Sequence, residues 1–174
     1  MTPNVPKSRS RGRLWLRSAD PGEKPALDFR YFTDPQGHDE RTIVDGLRIA
    51  RDVAATGPLR EWLVRETAPG PGATTDAELS EYGRRVAHTV YHPAGTCRMG
   101  GDGDAGAVLD PLLRLRGEEG VRVVDASVFP DLPTVNPMVT VLLVAERAVD
   151  LITGGGGPQP APAGGSDVVG GDQR

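Results

Sequence analysis

A single cysteine, Cys97, among 174 residues excludes an intrachain disulfide framework and any cysteine-rich zinc site. Aromatic residues make up only 5% and apolar residues 37%, which is little for a free-standing core. No apolar run approaches the roughly 18 residues of a membrane span, and the opening MTPNVPKSRSRGR lacks the apolar stretch of a secretory signal. The expectation is therefore a cytoplasmic chain with no membrane span. A net charge of −4, with a pI near 5.4 and a mean hydropathy of −0.35, offers no basic field for nucleic acid or anionic lipid. The length suits one domain of roughly 100–200 residues.

Glycine and proline, in contrast, are abundant at 23 and 16. Eight of those glycines fall in TGGGGPQPAPAGGSDVVGGDQR at the C-terminus, which has almost no large apolar residue. Such a segment cannot bury enough surface to offset its ordering entropy, so residues 154–174 are predicted to be a disordered tail.

Ahead of the tail, Arg13-Leu14-Trp15-Leu16-Arg17 and Leu27-Asp28-Phe29-Arg30-Tyr31-Phe32 alternate polar and apolar residues across the turn-rich SADPGEKP. They predict two antiparallel strands sharing one buried face. Apolar residues at Ile43, Val44, Leu47, Ile49, Ala50, Val53 and Ala54 form a helical stripe over 39–55, broken at Gly57-Pro58. Thr75 and Glu78 have the spacing of a capping box and predict a helix through about Arg85. Val86–Tyr91 reads as a strand delivering His92 to its end, and Val121–Asp125 as a second good strand. Asn136-Pro137 marks a strong helix start before MVTVLLVA, with asparagine as N-cap and proline at the first helical position. That helix is apolar on nearly every side at its front, which predicts burial there. Its positive dipole end would then face an interior or an electron-rich ligand.

Most of the small motifs carry no chemistry. Gly101-Asp102-Gly103-Asp104-Ala105-Gly106 matches G-x-G-x-x-G literally, but no strand feeds it, no helix opens from it, and two aspartates would repel a pyrophosphate. It reads as a surface loop, and it lacks the ligand order of an EF-hand. His38 lies in a hydrophilic turn. His88 and His92, with Cys97 five residues on, match no zinc spacing, so no metal is expected. Taken alone, His92 is more often a hydrogen-bonded structural histidine than a catalyst. Cys97 reads as a small buried thiol, and Ser127 lacks the strand–turn–helix setting of a nucleophile.

Three longer segments change that balance. YHPAGTCRMG at 91–100, VLDPLLRLRGEEGVRVVDASVFPDLPTVNP at 108–137 and MVTVLLVAERAVDLI at 138–152 closely resemble the C-terminal part of the glucose–methanol–choline (GMC) oxidoreductases. SRGRLWLRSADP and PALDFRYFTDP resemble the start of that region, so the likeness spans about residues 7–152. The resemblance implies a mixed α+β and α/β architecture. Residues 7–95 would belong to a substrate domain of antiparallel sheet and flanking helices. Residues 105–152, a strand and the last helix, would complete the FAD domain. The family's N-terminal Rossmann portion, with its phosphate-binding G-x-G-x-x-G, has no counterpart in these 174 residues, so the expectation is a truncated or split gene product, or half of a two-chain enzyme whose N-terminal half is encoded separately.

By resemblance the cofactor is FAD and the substrate a small alcohol, with the hydride passing to flavin N5. His92 matches the family's catalytic histidine, and Asn136 matches its histidine-or-asparagine partner. Asp125 and Ala126 would lie beside the FAD, with Pro137 and Met138 approaching its ring. Asparagine in the V-N-P form leans towards the choline-type branch. The chemistry suits these residue types, because a neutral imidazole can take a hydroxyl proton near working pH while an amide holds the same oxygen. Asn136 could instead simply cap its helix. Two rival functions are a non-catalytic remnant or interaction module that binds no flavin, and a metal-dependent hydrolase using His88, His92 and Asp110.

Overall fold

The alternating segments near the N-terminus become two short strands, β1 (Arg13–Trp15) and β2 (Ala26–Asp28). They pair antiparallel in the register Arg13↔Asp28, Leu14↔Leu27 and Trp15↔Ala26. These features come from a computed structural model that describes residues 3–155. The expected buried face is not formed. Only Ala26 is buried, while Leu14, Leu16 and Leu27 are exposed, because no other element among the described residues packs on the hairpin. Beside the backbone pairing, the Arg13–Asp28 ion pair at 3.6 Å and the Arg13 guanidinium over the Trp15 ring are its side-chain contacts.

The helical stripe folds as α1 (His38–Ala55), followed after Thr56 by the short α2 (Gly57–Trp62). The N-cap of α1 is Gly37, which has no side chain to offer. Asp34 substitutes for it, its carboxylate accepting the N–H groups of His38 at 2.5 Å and Asp39 at 3.2 Å. Asp39 is itself buried and accepts from Ser8 Oγ, Arg9 N and Ser10 N, tying the N-terminal segment to the helix. Burial alone would raise the Asp39 pKa, but the hydrogen bonds from Ser10, Ser8 and the two amides outweigh it and hold the group below its ordinary value.

The capping box forms as its spacing predicts. Thr75 Oγ1 accepts from Glu78 N, the Glu78 carboxylate accepts from Thr75 N, and α3 (Asp76–Val86) follows. This helix crosses α1 over a small core of Val44, Leu47 and Leu79, with Gly83 against Ile43. A Cβ on Gly83 would lie 3.2 Å from Ile43, so glycine permits the close approach. Glu40 of α1 adds a bridge to Ser80 and Arg84 of α3.

The two later strands predicted from sequence do not form. Val86 is the last residue of α3, and Ala87–Tyr91 is irregular, because the capped helix extends further than the β-branched pattern implies. Val121–Asp125 makes a single bridge, Arg114↔Arg122, flanked by Leu115 N to Val121 O and Val123 N to Leu113 O. With a partner on one side only, the segment stays an irregular hairpin and turns into a 3₁₀ turn at Ala126–Val128.

A second and larger core lies under this half of the chain. Leu109, Leu113, Val128, Phe129 and Ala148 are buried together, with Ala94, Cys97, Met99, Ala126, Val141, Val144 and Leu151 packed around them. The last helix, α4 (Met138–Thr153), contributes one stripe to this core and ends at the left-handed Gly154. Its predicted burial at the front is not observed. Met138, Val139, Leu142 and Leu143 are each more than half exposed, because the described residues cover only the stripe through Val141, Val144 and Ala148. No helix among the described residues is long and apolar enough to cross a membrane. Of the predicted tail, Gly154 and Gly155 are described and the rest lies outside the described residues.

Candidate functional site

His92 sits where α3 has ended and the chain turns towards the second core. Thr89 O accepts the His92 N–H at 3.0 Å, closing a four-residue turn whose central residues, Val90 and Tyr91, have φ of 44° and 64°. Left-handed backbone is an outlier for a β-branched residue and costs on the order of 1–3 kcal/mol at each such position. The half-buried His92 precedes Pro93, which disfavours helical backbone at the histidine. Its imidazole takes no hydrogen-bond partner among the described residues.

Downstream, the segment is stitched to the 3₁₀ turn. Gly95 N donates to Ala126 O at 3.2 Å, Cys97 N to Ser127 O at 2.9 Å, and Met99 N to Val128 O at 2.9 Å. Gly95 makes the first of these contacts from φ 81°, where a side chain would be strained. This ladder brings the His92 segment alongside Asp125 and Ala126. The Asp125 carboxylate is occupied locally, accepting from Ser127 N at 2.8 Å and capping the 3₁₀ turn. Ser127 shows no nucleophile geometry, and Cys97 is half-buried against the core.

Asn136, Pro137 and Met138 stand at the front of α4. The sequence predicts Asn136 as the capping side chain, but Pro137 occupies the N-cap position and no side chain caps the helix. Pro137 O accepts from Val141 N at 2.8 Å. The first intrahelical bond is therefore accepted at Pro137, one residue later than the asparagine signal implies. The exposed Asn136 amide is thus not spent on capping. First-turn N–H groups of α4 remain without intrahelical partners, beside the exposed side chains of Met138 and Val139. That combination, an uncapped positive helix end with an apolar shoulder, fits a planar electron-rich ring. The His92 loop and α4 lean on the same core through Ala94 and Val141.

The glycine-rich 101–106 segment is a surface loop, as its context predicts. Asp104 accepts from Arg98 through both oxygens and from Gly106 N, while Arg116 Nη2 donates to the carbonyls of Gly100 and Gly101 at 2.8 Å. The Arg98 guanidinium holds the Asp104 carboxyl down to about 2, with the Gly106 amide adding to the effect. A depressed folded-state pKa gives stabilisation that is complete above the ordinary carboxyl value of about 3.9 and lost as the pH falls through the folded value. Acid titration followed by the Gly106 amide resonance should therefore open this loop between about pH 4 and pH 2, and Asp104→Asn should abolish that step. Among the described residues no three His, Cys, Asp or Glu side chains gather as a metal site. His38, placed by its sequence context in a hydrophilic turn, is instead half-buried in the first turn of α1.

Two features have no sequence signal of the usual kind. The left-handed turn contains neither glycine nor asparagine at Val90-Tyr91, so turn chemistry does not announce it. The Arg116 clamp on Gly100 and Gly101 joins residues that no motif links.

A family model for GMC oxidoreductase matches residues 8–145. Choline oxidase of Arthrobacter globiformis is 53% identical over 152 residues, covering 87% of this chain and 28% of that protein. Oxygen-dependent choline dehydrogenase 1 of Chromohalobacter salexigens is 40% identical over 148 residues, covering 85% of this chain and 26% of its own length. Among solved structures, pyridoxine 4-oxidase from Mesorbium loti superposes with a TM-score of 0.76 at 29% identity, over 87% of this chain and 29% of that one. The chain thus spans little more than a quarter of the length of the curated relatives it matches.

Proposed function

This chain belongs to the GMC oxidoreductase family, and from that membership we propose that residues 7–152 form the C-terminal portion of an FAD-dependent oxidoreductase acting on CH–OH groups. The substrate is a small alcohol, with choline the first to test, since asparagine in the V-N-P form accompanies 53% identity to a choline oxidase. Residues 7–95 would contribute to the substrate domain and 105–152 to the FAD domain. The rest of the GMC fold would come from outside these 174 residues, including from a separately encoded half.

His92 takes the hydroxyl proton of the alcohol, because an alkoxide pushes electron density into the C–H bond that must break. Such a base contributes about 10²–10⁴ in rate. Asn136 donates a hydrogen bond to the same oxygen and holds the carbinol carbon in place. Bound FAD supplies the acceptor for the hydride. The uncapped end of α4 would stabilise negative charge on the bound cofactor, which Pro137 and Met138 would help to hold on their apolar side together with Asp125 and Ala126. What supports this reading above all is the backbone ladder from Gly95–Met99 to Ala126–Val128. Through it, the histidine segment and the candidate cofactor segment share one core with α4.

The test is a chimera in which residues 7–152 replace the matching segment of the 53% identical choline oxidase. It is expected to retain flavin through gel filtration and to lose visible flavin absorbance anaerobically when choline is added. Retained flavin that no simple alcohol bleaches would overturn the catalytic assignment. A chimera that loses its flavin would instead favour the non-catalytic module that binds none, for which the exposed Met138, Val139, Leu142 and Leu143 offer a sticky face.

A further inference from the structure

The strained turn ahead of His92 needs something to hold it. Left-handed φ at Val90 (44°) and Tyr91 (64°) persists only where surrounding contacts over-determine the backbone. Here every N–H from Val90 to His92 has a local acceptor. Val90 N donates to His88 Nδ1 at 3.1 Å, Tyr91 N to Thr89 Oγ1 at 3.0 Å, and His92 N to Thr89 O at 3.0 Å. The Tyr91 side chain is 92% exposed and anchors nothing in the core, although its ring edge meets His88 at 6.5 Å between centroids. Two of the three acceptors are therefore side-chain atoms, His88 Nδ1 and Thr89 Oγ1.

We propose that Thr89, assisted by His88, is a positioning residue for His92: Thr89 Oγ1 and His88 Nδ1 hold the left-handed turn that carries the imidazole. The inference rests on the reading of His92 as the base, and it adds that the base is aimed from upstream by side chains and from downstream by the Gly95–Ala126 bond. Acceptance at His88 Nδ1 requires its proton, in the neutral ring, to sit on Nε2.

The test compares Thr89→Val, which keeps the shape and removes the acceptor, with Thr89→Ser, which restores it, in the ¹⁵N-labelled 174-residue chain. Thr89→Val is expected to speed exchange of the Tyr91 amide by about 2- to 10-fold, the worth of one neutral hydrogen bond. It should also move the His92 ring resonances and leave the Leu79 and Leu109 amides unchanged, and Thr89→Ser should return both signals. His88→Asn, which keeps an acceptor, should leave the His92 ring signals in place, whereas His88→Phe should move them. Unmoved His92 ring signals in Thr89→Val would overturn the proposal; if that variant fails to fold, unmoved signals in His88→Phe would do so. In the flavin-bearing chimera, Thr89→Val should lower kcat more than it changes KM. If His92→Ala leaves flavin reduction unchanged, the catalytic assignment fails while the NMR comparison still decides the turn.

Discussion

In the flavin-bearing chimera, His92→Ala should slow alcohol-driven flavin reduction by at least about 10²-fold, the lower end for loss of a general base. The structure makes this a clean substitution. The imidazole takes no hydrogen-bond partner among the described residues, and the loop is held by main-chain bonds from His92 N, Gly95 N and Cys97 N that alanine retains. Stopped-flow reduction at saturating alcohol reads the step directly, while retained flavin absorbance shows that cofactor binding survives. Unchanged reduction would remove His92 from the mechanism. Asn136→Ala gives the complementary result. Because Pro137 rather than Asn136 occupies the N-cap and no side chain caps α4, the alanine should slow reduction without loosening the helix. A loss of stability with normal reduction would return Asn136 to a structural role.

Leu109→Ala should cost about 2–5 kcal/mol of stability, the range for emptying a fully buried leucine site. Leu109 is 0% exposed and is the one residue bridged to both Met99 and Leu115. Its side chain lies in the cluster with Leu113, Val128, Phe129 and Ala148. The cavity would open beneath the 3₁₀ turn and α4 together, so the segments bearing Asp125, Ala126 and Asn136 should loosen along with the fold. Urea denaturation followed by far-UV circular dichroism measures the loss, with Leu142→Ala as the control. Leu142 is 59% exposed, and its truncation in the isolated chain should stay within about 0.5 kcal/mol. A Leu109→Ala loss no larger than that control would mean the second core is not what joins these segments.

The pattern of success and failure in reading this sequence has a physical basis. Elements whose signals are local formed where expected. Thr75 and Glu78 satisfy one another's orphan groups within a single turn, and the stripe from Ile43 to Ala54 needs only one face to bury. The hairpin paired, since its turn and alternation are also local, but its predicted buried face did not form, because burial depends on a partner. The strands expected at 86–91 and 121–125 failed for a related reason. A strand exists only if neighbours accept its hydrogen bonds; in the first segment Val86 ends the capped helix and Val90 and Tyr91 donate within their own turn, while the second finds acceptors on one side. The apolar front of α4 is another case: hydrophobicity predicts that a surface should be covered, not that anything in this chain covers it.

The sequence by itself determined the family, through long ordered motifs ending in YHPAGTCRMG and V-N-P, and it nominated His92 and Asn136 as a pair. It also disposed of the 101–106 glycine pattern, whose context lacked both strand and helix. Only the tertiary structure decided how the nominated residues are held. The Val90-Tyr91 turn has no glycine to announce it, and the ladder from Gly95–Met99 to Ala126–Val128 joins residues some thirty positions apart. Left-handed backbone at ordinary residues is locally unfavourable and is imposed by the contacts around it. Main-chain hydrogen bonds across such a separation carry no side-chain signature, so both become visible only when the chain is folded.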